Sequence, residues 1–389
     1  MSKTLQSNKI VFKSTGGSDL GEIDTDVSGN VDIIATGNIS LENPSFTITI
    51  PTAAPTPNQI ISTNASGALS WINNPNINYR DFLVGGWEGQ TPTNDSNNWR
   101  SVVWSPELSI FCAVATTGTN SVMTSPDGVT WTARTSTSNS WTSVTWSSDL
   151  NLFVVVGLSG VNRVITSSDG VTWASHASSN ESNQWFSVTW SPKLGIFCAV
   201  AATGTNRVMT STNGTSWNGY ASSNESNSWY NVTWSPELEI FCSVSSGGTN
   251  RVMTSTNGTT WNGYASSNES NLWYCVVWSP ELGLFCAVGR GSTNRVMTSP
   301  DGSSWTGRTP SNDSVNWFSI TWSSELGLFC AVGASENQRV MTSPDGTNWT
   351  GHTSSNESNA WVGIEWSPEL GVFCGVASVG TNRVMTSLR

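Results

Sequence analysis

Charge is scarce in this sequence. Lys, Arg, Asp and Glu together make up 11% of 389 residues, and histidine occurs twice. The formal balance is -11. No basic field exists to displace counterions from a phosphate backbone, which argues against a nucleic-acid partner. The same sign disfavours an anionic membrane surface. Long hydrophobic runs are missing too: no stretch of about eighteen apolar residues occurs, so membrane insertion is not expected. The opening MSKTLQSNKIVFKS has no apolar core of the kind a secretory signal needs. Lys and Glu, both good helix formers, are few, while Ser, Thr, Asn, Gly, Val and Trp dominate, which points to an all-β chain with polar turns.

Cysteines number seven, and six of them fill one repeated position, F-C-[AGS]-V: Cys112, Cys198, Cys242, Cys286, Cys330 and Cys374. Val154 takes that position in one copy, so these cysteines read as small hydrophobes. Successive copies lie a whole repeat apart, too far to bridge. Cys275 stands outside the pattern and could face Cys286 across a hairpin. Reduced thiols suit synthesis in a cytosol.

Tryptophan is the abundant residue, with 22 copies. From residue 80 the pair W-x4-W recurs at 99/104, 141/146, 185/190, 229/234, 273/278, 317/322 and 361/366. The second tryptophans stand 42 and then five times 44 residues apart, and the short interval comes from one loop that is two residues shorter. A third tryptophan follows a tight turn in the first six units: 131, 173, 217, 261, 305 and 349. Each unit carries four strand signals, read in order as inner, second, third and outer: W-[FYT]-S-V-T-W, G-I-F-C-A-V, N-R-V-M-T-S and T-S-W-N-G. A period of 40 to 45 residues with four strands marks a propeller blade. The seventh unit ends at its third strand. Its missing outer strand is found near residues 81–90, because WEGQTPTNDSNNW (87–99) parallels WTGRTPSNDSVNW (305–317). The expected fold is therefore an all-β, seven-bladed β-propeller over residues 80–389, closed by an N-terminal strand that leaves no exposed edge.

Residues 1–79 are different: one tryptophan, Trp71, and short β-like runs at 9–12, 31–34 and 45–50 punctuated by Gly and Asn. Such strands hold too little apolar surface for a monomeric core. They suit a small attachment or oligomerisation segment wound with copies of itself.

Two resemblances follow. Ser125-Pro126-Asp127-Gly128-Val129-Thr130-Trp131 resembles the Asp-box of sialidase-type (BNR) propellers, S-x-D-x-G-x-T-W, one residue shortened. It recurs at 167–173, 299–305 and 343–349, with Asn for Asp at Asn213 and Asn257. That resemblance implies a structural hairpin, away from any active site. Pro51 to Trp71, PTAAPTPNQIISTNASGALSW, resembles the shaft-to-head phrase of phage tail-fibre proteins, in which P-x-x-N-Q-[VIL]-[LI] leads to S-G-x-L-x-W. A Pro-rich linker is the alternative reading.

An enzyme is not expected. A sialidase-like centre needs an arginine cluster, a tyrosine–glutamate pair and an acid on different blades, whereas these arginines are periodic. No catalytic residue, cofactor or metal site is expected, since His176 and His352 occupy equivalent outer-strand positions and do not converge. Binding suits repetition better. The loop after the second strand and the loop between blades emerge on one face. The first carries Arg163, Arg207, Arg251, Arg295, Arg339 and Arg383. The second carries Asn180/Glu181, Asn224/Glu225, Asn268/Glu269 and Asn356/Glu357, with Asp95 and Asp313 in place of Glu. Amides, carboxylates and guanidinium groups offer the fixed donors and acceptors that sugar hydroxyls need. One outer-strand position varies: Arg134, His176, Tyr220, Tyr264, Arg308, His352 and Gln90. The structural alternative is that Ser and Asn only cap turns and Arg only pairs with Glu.

These readings together lead to an expectation: a viral fibre or spike protein made in the host cytoplasm and carried on the virion. Residues 1–79 would make it a trimer and join it to other virion proteins, and the propeller head would bind a host glycan or other receptor. A free-standing propeller lectin, or a structural capsid or tail decoration, is the alternative.

Overall fold

Each repeat folds into one four-stranded antiparallel sheet, and seven such sheets stand in a ring in the computed structural model of the chain. The structure describes residues 86–387 and, before them, the backbone of eight short strands between Thr4 and Asn73. By compactness the chain divides at Phe82/Leu83. In the first unit, strands 4–6, 9–13, 19–25 and 31–35 form one antiparallel sheet, and 39–43/46–50 and 59–63/69–73 form two hairpins. The second hairpin pairs Gln59 with Asn73 and Thr63 with Leu69.

In the first blade the inner, second, third and outer strands are Trp99–Ser105, Ile110–Ala115, Val122–Ser125 and Thr132–Arg134. The five blades that follow repeat that order. The seventh supplies Ala360–Ser367, Val372–Val379 and Val384–Ser387, and its outer strand is Trp87–Gln90. Val384 pairs with Gln90 and Ser387 with Trp87 in antiparallel register. The ring is thus sealed by strands from its two ends, as the parallel between 87–99 and 305–317 implied.

The hydrophobic cores lie between blades. In one of the seven clusters Cys198, Val200 and Val208 of the third blade pack on Trp229, Val232, Trp234 and Phe241 of the fourth. Cys374 and Val376 of the last blade pack the same way on Trp99 and Trp104 of the first. This is why one strand reads F-C-A-V without polar alternation: Phe111 and Ala113 serve one interface, Cys112 and Val114 the other, and both sides are dry. The seven cysteines are free. Burial pushes the six repeated thiols far up, so they stay protonated and inert. Cys275 pairs in register with Val288, and Cys286 with Val277, so the two cysteines are not opposite one another.

Within a blade, the second-strand phenylalanine is sandwiched by two tryptophans. Phe111 lies 4.7 Å from Trp104 and 6.4 Å from Trp131, between ring centroids. In the closing blade Phe373 lies 4.6 Å from Trp366 and 6.4 Å from Trp87, so Trp87 fills the place of the seventh third-tryptophan.

The S-x-[DN]-G turns share one hydrogen-bond pattern. Ser125 Oγ donates to Asp127 Oδ1 and accepts from the Gly128 amide, while the amides of Val129 and Thr130 donate to Asp127 Oδ1 at 2.8 and 2.7 Å. Trp131 Nε1 donates to the Gly128 carbonyl. Asn213 accepts through its amide oxygen in the same way, which explains why Asn replaces Asp there. Gly128 has a φ of +76°, and a Cβ there would meet the Thr386 methyl of the preceding blade at 3.0 Å. Only glycine meets both demands.

A polar binding face and an axial channel

The loops that carry the repeated arginines and glutamates share one face of the ring, opposite the S-P-E-L and S-x-[DN]-G turns. Register fixes this: Trp99 and Ala115, which flank those loops, pair at one end of the blade, while Ser105 pairs with Ile110 and Phe111 with Ser125 at the other.

The arginines on that face are struts between blades. Arg207 Nη1 donates to the Asn227 carbonyl, in the loop that opens the next blade, at 2.5 Å, and Nε donates to Gly204 O at 3.0 Å. Arg163, Arg251 and Arg339 reach Asn183 O, Asn271 O and Asn359 O, and Arg295 reaches Val315 O at 2.8 Å. Arg383 makes the same bond across the seam, to Asn97 O at 2.8 Å, and its own amide donates to Asp95.

The carboxylates are equally engaged. Oε1 of Glu181, Glu225, Glu269 and Glu357 accepts from the amide and hydroxyl of Ser178, Ser222, Ser266 and Ser354. The second oxygen is buried without a hydrogen-bond donor in all four. In three copies it faces the arginine Nε of the preceding blade: Glu181 to Arg163 and Glu269 to Arg251 at 3.7 Å, and Glu357 to Arg339 at 3.9 Å. Asn180, Asn224, Asn268 and Asn356 accept from the amide two residues on, which closes an Asx turn. Their exposed amide groups, with Thr205, Thr293 and Thr381, remain on the surface.

The variable outer-strand residues lie on the perimeter. His176 and His352 place Nε2 2.9 and 2.7 Å from Thr166 Oγ1 and Thr342 Oγ1, and Arg308 donates to Thr298 Oγ1 at 3.0 Å. Tyr220 and Tyr264 pack on the cores of the fourth and fifth blades. Three strand spacings, about 14 Å, separate this row from the inner strands of its own blades. It does not converge with the axis.

What does converge is the set of inner strands. They enclose an axial channel with a cavity of about 380 Å³. Every inner strand has a register shift just after its first tryptophan. The extra residue of each bulge lines the channel: Arg100, Thr142, Phe186, Tyr230, Tyr274, Phe318 and Val362. A bulge re-aims one side chain, and these seven vary from blade to blade. They stand at the mouth on the face of the polar loops.

Four of them form an aromatic crescent. Phe186 and Tyr230 are 4.1 Å apart by centroid, Tyr230 and Tyr274 4.9 Å, and Tyr274 and Phe318 5.1 Å. Arg290, a second non-repeating arginine, sits with its guanidinium carbon 5.2 Å from the Tyr274 ring centroid. Arg100 faces the crescent from the opposite side of the ring. Burial pulls its guanidinium below the ordinary pKa, and Tyr230 and Tyr274 are near enough to oppose the shift. Among the described residues no carboxylate pairs with Arg100 or Arg290.

One layer deeper, side chains stitch neighbouring blades. Ser101, Ser143, Ser187 and Ser319 hydroxyls and the Asn231 amide oxygen accept from backbone amides of the next inner strand at 3.0–3.3 Å. Gly363 has this place at the seam, where a Cβ would lie 2.9 Å from the Arg100 carbonyl; the strands of the last and first blades approach closely there. Cys275 replaces serine in the fifth blade, and its sulfur lies 3.7 Å from Ile320 O. Near the far end of the inner strand Glu365 faces the channel; burial pushes its carboxyl up to about 8, against the opposing Trp104 amide.

No family model matches the chain, and no curated protein matches it. Solved structures do. A streptogramin B lyase superposes with a TM-score of 0.66 at 11% identity over 77% of this chain and 96% of that one. Virginiamycin B lyase from Staphylococcus aureus gives 0.67 at 11% over 78% and 99%. A GH74 enzyme of Niastella koreensis gives 0.59 at 15% over 77% and 53%. At these identities the likeness is one of fold: a seven-bladed propeller, an architecture whose bearers have varied functions.

Proposed function

We propose that the chain is a viral fibre- or spike-type attachment protein, in which a non-catalytic propeller head binds a host-surface glycan and residues 1–79 trimerise it and join it to the virion. The observation that carries this reading is the way the chain enters the head. The strand that seals the ring, Trp87–Gln90, directly follows the short-stranded unit, so the head's closure is continuous with its stem. The tail-fibre-like phrase at 51–71 lies in that first unit, ahead of the closing strand. Periodic polar loops on one face supply many equivalent weak contacts, and a trimer multiplies them by avidity. Because the arginines and glutamates of that face are spent as struts, the contacts to sugar fall to the exposed asparagine amides and threonine hydroxyls.

Light scattering of the full-length chain and of residues 80–389 tests the stem. A trimer that becomes a monomer on truncation is expected, and a monomeric full-length chain sinks the fibre reading. Glycan-array binding by the head tests the receptor role. The compactness of the Leu83–Arg389 unit favours a second reading, a free-standing lectin, in which both forms are monomeric and still bind sugar.

A further inference from the structure

The channel mouth combines three features that no part of the repeat requires. The first is an arginine facing the axis without a carboxylate partner among the described residues, Arg100. Next comes a continuous aromatic crescent opposite it. A second arginine, Arg290, then stands at the crescent's edge. The blades would stack equally well with one residue at all seven bulges, as they do with Val or Ile two positions on. Within the inner strand the repeat is broken most where the side chains meet at the axis.

Each feature selects a chemistry. A planar, half-buried guanidinium with no carboxylate partner among the described residues is matched by a carboxylate, which it can grip through two parallel hydrogen bonds. Aromatic rings tilted against one another over four neighbouring blades, at 32°, 86° and 54°, line one side of the mouth with apolar surface that the apolar face of a sugar ring can cover. A cavity of about 380 Å³ lies in the range of small-ligand sites, about 300–1,000 Å³, and is near the small end. The molecule as a whole carries -11, so two arginines at one mouth, with no carboxylate partner among the described residues, form a local exception to a field that otherwise repels anions.

We propose that this mouth binds a single carboxylated sugar residue, its ring on the Phe186–Tyr230–Tyr274–Phe318 crescent and its carboxylate on Arg100, with Arg290 alongside. The proposal rests on the reading of the propeller as a glycan-binding head and gives that head a specificity. The polar loops around it then contact the rest of the glycan.

The test uses full-length protein and titration calorimetry with glucuronic acid, N-acetylneuraminic acid, glucose and benzoate, repeated on Arg100→Met and Tyr230→Ala. At least one sugar acid is expected to bind tenfold or more tighter than glucose, and Arg100→Met is expected to remove at least tenfold of that affinity while the melting temperature stays within a few degrees. Tyr230→Ala should weaken the sugar acid without restoring glucose. Benzoate binding alone would replace the sugar by an aromatic acid and overturn the assignment. Equal affinity for glucose and the acids, no effect of Arg100→Met, or no binding at millimolar concentration would do the same. Array binding to neutral glycans with no sugar-acid affinity leaves the receptor reading standing and removes only this site.

Discussion

Trp104 Nε1 donates to Glu369 Oε2 at 2.5 Å, across the seam of the ring and 265 residues apart in sequence. The same bond recurs between neighbours: Trp146 to Glu107, Trp190 to Asp149, Trp278 to Glu237, Trp322 to Glu281 and Trp366 to Glu325. The S-P-E-L turn of one blade therefore latches the second tryptophan of the next. On the other face the Arg-to-carbonyl struts do the equivalent work. Glu369→Ala leaves a buried indole N–H without an acceptor, a loss of about 1–3 kcal/mol. Denaturant unfolding should register it, and Glu369→Gln, which keeps an acceptor, should lose clearly less. Equal losses for both would mean that the latch contributes nothing specific.

One latch is absent, and the sequence accounts for it. In the third blade the turn reads S-P-K-L, so Lys193 stands where the acceptor belongs, and Trp234 Nε1 is buried without a hydrogen-bond partner. Lys193 turns outward to Glu239 at 3.1 Å, an exposed pair of little energetic weight. Lys193→Glu is expected to raise stability by about 1 kcal/mol through the new charge-assisted bond. Lys193→Ala, which discards the lysine and adds no acceptor, should not. A melting temperature that responds identically to the two variants refutes the account.

The seam is also the place where a single side chain tests the fold. Trp87 is the only third-position tryptophan that precedes its blade in sequence, and it packs on Phe373 with Trp366 on the other side. Trp87→Ala should cost about 3–5 kcal/mol, the range for a buried aromatic. Because the strand it anchors has one sheet neighbour, Val384–Ser387, hydrogen exchange should rise first there and at the amides of residues 384–387. Protection that falls evenly over all seven blades would argue against a local opening at the closure.

Much of this architecture was legible because tryptophan spacing reports blade period directly, and because the run from Trp87 to Trp99 copies the run from Trp305 to Trp317. The binding face was harder. Periodic Arg207, Glu225 and their copies look like an array of ligand groups, yet Arg207 is engaged by a carbonyl of the next blade and Glu225 by the amide and hydroxyl of Ser222 in its own loop, which sequence spacing cannot reveal. The channel mouth was visible in principle as the one irregular letter after each first tryptophan. It passes unnoticed because an inner strand in perfect register gives no reason to single that letter out. The bulge, which sends Arg100 and Tyr274 into the channel, is a backbone event with no sequence signature of its own. The irregularity on the outer strand, from Arg134 to His352, catches the eye first and lies on the perimeter.

Glu365 allows the channel to be tested by pH. It replaces the Thr or Val of the other inner strands and lines the channel, half-buried. Its folded pKa, raised by burial to about 8, exceeds the unfolded value of about 4.3. Below that lower value the carboxyl is protonated in both states and pH has no leverage. Between the two values the unfolded chain ionises while the folded one holds its proton, so stability falls as pH rises, and it levels off once the folded group ionises too. Glu365→Gln keeps the shape and removes the titration. The variant should match the wild type near pH 4, exceed it progressively through neutrality and hold a constant advantage above pH 8. Cys275 and Cys374 are the neighbouring titratable groups; burial holds both protonated in the fold while their unfolded thiols ionise at about pH 8.5, so the slope they add above about pH 8 is common to both proteins and cancels in the comparison. Parallel melting curves for the two proteins from pH 4 to pH 9 would mean that water reaches Glu365 freely and that the channel is wet along its whole length.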